Sequence, residues 1–142
     1  KYTADDVQLL ETMNALPAAV AARFDALDSV GGLQLITDAM SETNRYFSRC
    51  EPWVMAAAKP GADAVRLATV MFLTQEAVRV AGILLQPVVP EAASKLLDHL
   101  GVPSTHRDAH FAEAGGAGAR VGGEPLGFKC KDEKCILFPR MC

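Results

Sequence analysis

Residues 61–86 read GADAVRLATVMFLTQEAVRVAGILLQ. Wound as a helix, this stretch is apolar almost all round, with a narrow polar stripe through Asp63, Arg66, Glu76 and Arg79. A helix of that kind must be covered on nearly every side, so it is expected at the centre of a bundle. Pro87 and Pro90 stop it. Pro90 also suits the first turn of a last amphipathic helix, PEAASKLLDHLG, whose apolar positions are Ala93, Leu96, Leu97 and Leu100 and which Gly101 ends.

The elements that cover the central helix are legible upstream. Thr3 can cap a helix with Asp5 and Asp6 in its first turn, where negative charge is favoured, and Val7, Leu10 and Met13 recur at helical spacing. Pro17 is expected to restart or kink it. Residues 18–27 then place Val20, Phe24 and Leu27 on one face, and Ser29 can cap the next helix. That helix is expected to run to about Arg49 with Leu33, Ile36, Met40 and Phe47 inward, despite Gly31 and Gly32 in its first turn. Asp38, Ser41, Arg45 and Arg49 form a polar row on its other side, and Pro52 ends the regular hydrogen bonding. The fold class is therefore all-α: a helical bundle over residues 1–101, followed by a loop-rich extension over 102–142. In that extension residues 112–127 are rich in Gly and Ala, and GFKC and CILF around KDEK suit a short hairpin.

A chain of 142 residues, half apolar and 22% charged, suits one globular domain. Its start, KYTADD, lacks the apolar run of a signal peptide, and its most apolar stretch is interrupted by Arg66, Glu76 and Arg79, so no membrane partner is expected. The chain opens at Lys1 rather than Met and reads as a piece of a longer polypeptide. A net charge of -3 argues against a general polyanion-binding surface, DNA included, while leaving room for recognition through a few bases and aromatics.

Chemistry-bearing clusters are sparse. Cys50, Cys130, Cys135 and Cys142 are too scattered for a disulfide framework, and KCKDEKC has no second Cys or His pair nearby, so neither a metal nor a bound cofactor is expected in this chain. His106 and His110 stand four apart but follow a Gly-Val-Pro-Ser turn, with no assured helix to hold them on one face. AGGAGARVGG lacks the Gly-Lys-Ser/Thr ending of a phosphate loop, and no glycine-flanked nucleophile elbow occurs. No catalytic residue is assigned.

The remaining feature is RCEPWVMAAAK, residues 49–59, with the lone tryptophan behind a proline. On its residues alone Trp53 is either an apolar anchor of the core or of a protein interface, or a platform for a flat ligand. NRYFSRCEPW, then a long helix ending GILLQPVVP, then EAASKLLDHLGVP and ILFPR, together resemble the C-terminal part of methionyl-tRNA synthetases. The resemblance implies a helical anticodon-binding domain attached to a catalytic core that joins methionine to its tRNA with ATP and Mg. Trp53, presented by Pro52, would stack on an unpaired anticodon base. Asn44 would brace the turn that presents Pro52, Tyr46 would pack inside, and Arg45 and Arg49 would contact phosphates. Implied partners are methionine tRNA and the catalytic core of the same polypeptide. The nucleotide-binding motifs of that core, HIGH-like and KMSKS-like, do not occur here. The ILLQP and LFPR forms lean toward mitochondrial members, hence a mitochondrial matrix or cytoplasmic location. A helical protein-interaction module using Trp53 as a hot spot is the competing expectation.

Overall fold

A computed structural model of the chain describes residues 2–57 and 64–114. Among these, five α-helices follow one another: α1 (Ala4–Asp25), α2 (Ser29–Cys50), α3 (Pro52–Ala57), α4 (Ala64–Leu85) and α5 (Pro90–His99), then 3-10 turns at Ser104–His106 and Ala109–Phe111. The hairpin expected around Cys130 and Cys135, and Asp63 of the polar stripe, lie outside the described residues.

The start of α1 is a capping box. Asp6 N donates to the Thr3 hydroxyl while the Asp6 carboxylate accepts from Thr3 N at 2.8 Å, which satisfies two otherwise orphan amides. Contrary to the expected restart, the helix continues through Pro17. Proline here forfeits one hydrogen bond, and flanking turns that bury Met13, Leu16 and Val20 hold the rod together across the gap. The buried face is Asp6, Leu9, Met13, Leu16 and Val20 rather than the one through Val7, which is exposed.

The α1–α2 turn closes with Leu27 at φ 59, where Asp28 N reaches Arg23 O at 2.9 Å and Leu27 N reaches Phe24 O at 2.9 Å. This is a Schellman closure carried by a leucine, against about 1–2 kcal/mol of left-handed strain that glycine would avoid. The cap of α2 is Asp28, one residue before the expected Ser29, and it accepts from Gly31 N at 2.9 Å. Gly32 is a necessity of close approach, since a Cβ there would come within 2.7 Å of the Phe24 ring.

Helix α4 lies at the centre, touching α1, α2, α3, α5 and the second 3-10 turn. By length and apolar content alone it matches a membrane span, yet ten of its residues from Val70 to Leu84 are buried by the rest of the bundle. The polar stripe is not a solvated one. Glu76 and Arg79 are 1% and 0% exposed and pair within the core, with Arg79 Nε on Glu76 Oε1 at 3.0 Å and Nη2 on Oε2 at 2.9 Å. Two more guanidinium hydrogens go to the backbone carbonyls of Phe111 and Glu113 at 2.5 and 2.9 Å. The central helix thereby holds the segment after α5, whose Val102, Ala112 and Ala114 are buried in the same core. Gly101, at φ 74, lets the chain leave α5 with Val102 N on Leu97 O at 2.9 Å.

Candidate functional site

The last turn of α2 delivers the chain to an exposed aromatic, Trp53. Glu51 turns left-handed, at φ 46 and ψ 53, and breaks α2. Pro52 then opens α3 instead of ending helical structure altogether, as suits a residue with fixed φ and no amide to leave unpaired. Pro52 is buried, while Val54 N returns to Glu51 O at 2.9 Å. Trp53, next in the chain, is 54% exposed. Its ring centroid lies 6.1 Å from that of Phe47, tilted by 58°, so the indole leans on one aromatic neighbour while much of its surface meets solvent. A core anchor would be covered. Trp53 is a supported platform.

Behind this platform three helices meet at one carboxylate. Asp6 of α1, 0% exposed, accepts from the Tyr46 hydroxyl of α2 at 2.7 Å and from Arg66 Nη1 of α4 at 2.5 Å, beside its bond to Thr3 N. Arg66 Nη2 is also 3.6 Å from the Cys50 sulfur at the end of α2. Burial alone would raise the Asp6 pKa, but hydrogen bonds from Arg66, Thr3 and Tyr46 together outweigh it and keep the carboxyl well below its usual range. The phenol of Tyr46 is pushed up by burial and by the Asp6 carboxylate it faces. The hydrogen bond to Asp6 holds the Arg66 guanidinium above its ordinary range against the opposing effect of burial.

The candidate side chains of α2 fall on two flanks. At 100° per residue, Asn44 lies about 60° around the helix from Phe47, whereas Arg45 and Arg49 lie about 160° from it on either side. Asn44, Arg45 and Arg49 are all exposed. Arg45 pairs with Glu42, and Arg49 Nε is 4.0 Å from Asp5 Oδ2. The two arginines border the α1–α2 side of the bundle, where Thr12, Ala15, Leu35, Asp38 and Arg45 line an open groove of about 530 Å³. Asn44 shares the Phe47 flank.

Elsewhere the described residues offer no group of three or more His, Cys, Asp or Glu able to hold a metal. His106 and His110 both sit against Phe111, at ring-centroid distances of 4.6 and 5.4 Å. The sequence reading missed the Asp6 hub. A helical first turn explains an acidic residue there without any partner, and the only further hint was that Asp6 shares a helical face with Leu9 and Met13. The geometry leaves an aromatic ring half exposed at the end of α2, with Asn44, Arg45 and Arg49 exposed on the same helix.

Comparison with known proteins identifies the family. The family described as the anticodon binding domain of methionyl tRNA ligase matches residues 1–117. The chain is 48% identical over 94 residues, 66% of its length and 17% of the relative's, to a methionine--tRNA ligase of Rhizobium meliloti. It is 35% identical over 144 aligned positions, 97% of its length and 23% of the relative's, to a mitochondrial methionine--tRNA ligase of Bos taurus. A crystal structure of the apo form of Mycobacterium tuberculosis methionyl-tRNA synthetase superposes with a TM-score of 0.77 at 36% identity, covering 79% of this chain and 23% of that one. A second structure of that synthetase, bound by methionyl-adenylate, gives a TM-score of 0.76 at 36% identity, over 79% of this chain and 22% of the other. The chain thus spans about a fifth of the length of these relatives, bacterial and mitochondrial alike.

Proposed function

The chain belongs to the family of anticodon-binding domains of methionyl-tRNA ligases, and from that premise we propose that Trp53 is the surface on which an unpaired anticodon base of methionine tRNA stacks. The observation that carries this is the half-exposed indole leaning on Phe47 and presented by the buried Pro52. Stacking needs no net positive charge and contributes about 1–3 kcal/mol per base. Asn44, on the same flank, is placed for the edge of a splayed base or for bracing the turn. Arg45 and Arg49, on the other flank, serve phosphates, which position RNA without reading its sequence. Their ion pairs with Glu42 and Asp5 are exposed and weak enough to be exchanged for a phosphate.

In the whole polypeptide we assign the joining of methionine to its tRNA, with ATP and Mg, to a catalytic core outside this chain. The methionyl-adenylate bound in the mycobacterial relative supports that chemistry. This domain supplies specificity by binding the cognate anticodon more tightly in the reacting complex. We place the bundle at residues 1–101 and the extension at 102–142. The extension would pack back on the bundle or on the catalytic core; for its described part, up to residue 114, the bonds from Arg79 to residues 111 and 113 support the bundle. For its place of work we keep the mitochondrial matrix or the cytoplasm, since mitochondrial and bacterial relatives both align with the chain.

The test is Trp53→Ala in the full-length enzyme, with kcat/KM measured on methionine tRNA and on an anticodon variant. A loss of roughly 5- to 150-fold on the cognate tRNA, with discrimination against the variant reduced, is expected from one lost stack. Unchanged efficiency and unchanged discrimination would sink the assignment. Normal charging with loss of a bound protein would favour an interaction surface instead.

A further inference from the structure

Tyr46, Asp6 and Arg66 do more than close a gap between helices. Tyr46 immediately precedes Phe47, on which the indole leans, and its hydroxyl is tied to a carboxylate with no exposure to water. Arg66 joins that carboxylate to Cys50, the last residue before the left-handed Glu51 and the buried Pro52. Two joints between the bundle and the platform, Phe47 and Cys50 before the left-handed Glu51, therefore lie next to this cluster. Apolar contacts alone tolerate a sliding or rolling helix end, because their energy changes little with direction. Charge-assisted hydrogen bonds in a low-dielectric site are directional and reinforce one another. The left-handed Glu51 also persists only while its surroundings over-determine it.

We propose that Asp6, Tyr46 and Arg66 form a positioning cluster that fixes the pose of Trp53 and so sets how sharply the anticodon is discriminated. The inference rests on the assignment of Trp53 to base stacking. The cluster touches no base. It acts by holding the end of α2 and the start of α4 against the cap of α1, so that Phe47 and Pro52 present the indole at one angle. A platform free to tilt would still bind RNA, but it would accept wrong bases in poses that a fixed ring excludes.

The test is a double-mutant cycle in the full-length enzyme between Tyr46→Phe, which removes one hydroxyl and keeps the ring, and Trp53→Ala. The readout is the ratio of kcat/KM for methionine tRNA to that for an anticodon variant, with KM and kcat resolved. Tyr46→Phe is expected to lower that ratio by roughly 3- to 10-fold, chiefly through KM, the size of effect one hydrogen bond can exert. It should do nothing further in the Trp53→Ala background. A ratio unchanged by Tyr46→Phe, or equal losses in both backgrounds, overturns the positioning role while Trp53→Ala still shows its own loss. No effect from Trp53→Ala overturns the stacking assignment and this inference together. Should Tyr46→Phe fail to fold, Arg66→Lys, at the rim of the cluster with its charge kept, replaces it in the same cycle. Arg66→Lys is expected to retain discrimination better than Arg66→Ala, and equal loss in the two counts against a directional bond.

Discussion

Among the described residues two clusters are built around fully buried charges, and they serve different ends. Glu76 and Arg79 belong to one helix and pair locally, and the surplus donors of Arg79 go to two carbonyls of the segment after α5. Asp6 and Arg66 belong to different helices, include a phenol, and stay open enough at the rim that Arg66 is 26% exposed. A pair inside one helix fixes nothing between helices by itself, so the first group's structural output is the docked tail. The second group's output is the relative placement of three helix ends, and the exposed tryptophan stands at one of them. Burying charge costs several kcal/mol per ion before pairing. What each group does with its donors is therefore the informative part.

The sharpest way to break the comparison is to remove the buried cation of the first group. Arg79→Met leaves Glu76 without its guanidinium and takes the donors from the Phe111 and Glu113 carbonyls. A loss of about 3–5 kcal/mol is expected, the usual consequence of breaking a buried pair from one side, read as a shift in the urea midpoint. Any loss in anticodon discrimination should then follow the loss of folded protein. The double change Glu76→Leu with Arg79→Met should recover only part of the stability, since the two carbonyls still lack donors.

Acid probes the Asp6 cluster directly. Asp6 has a folded pKa below its value of 3.8 in an unstructured chain, so the unfolded state binds a proton that the folded state does not. Stability from Asp6 is therefore fully present above the ordinary carboxylate range and is lost as pH falls through that range toward the folded pKa. Asp6→Asn should flatten the low-pH limb of a stability profile while lowering stability at neutral pH. A profile at acid pH with the wild-type slope would mean that Asp6 contributes nothing through its charge.

The same contrast explains what could be read from the residues. The all-round apolar pattern of 64–85 dictates a central helix, because no other arrangement covers it, and the structure puts α4 against every other helix. Trp53 behind Pro52 was likewise legible, since a proline after a polar helix end marks a break at which a side chain can turn outward. The charges were not. Arg79 and Glu76 fall on a narrow polar stripe for which the sequence names no partner, and the carbonyls that take the surplus donors of Arg79 lie more than thirty residues later. Asp6 looks like an ordinary first-turn acid until Tyr46 and Arg66 arrive from 40 and 60 residues away. Pro17 does not restart the helix for a related reason: the side chains packed on either side of it outweigh one missing hydrogen bond.

The smallest expected effect sharpens the division within α2 itself. If Phe47 and Asn44 define the reading flank and Arg45 and Arg49 the phosphate flank, replacing either arginine by glutamine should weaken cognate and variant tRNAs alike. Each loss should be modest, because Glu42 or Asp5 already shares the charge at the surface. Its signature is the salt dependence: one phosphate contact removed lowers the slope of log Kd against log salt by roughly 0.7 on single-stranded RNA. Binding titrations across a range of salt, with the full-length protein and both tRNAs, measure this directly. Parallel slopes for the two tRNAs, both shallower than wild type, fit an electrostatic flank that carries no sequence information. If instead Arg45→Gln changes the ratio between the tRNAs at fixed salt, the bound RNA wraps from one flank to the other and the base-reading surface is wider than the tryptophan platform.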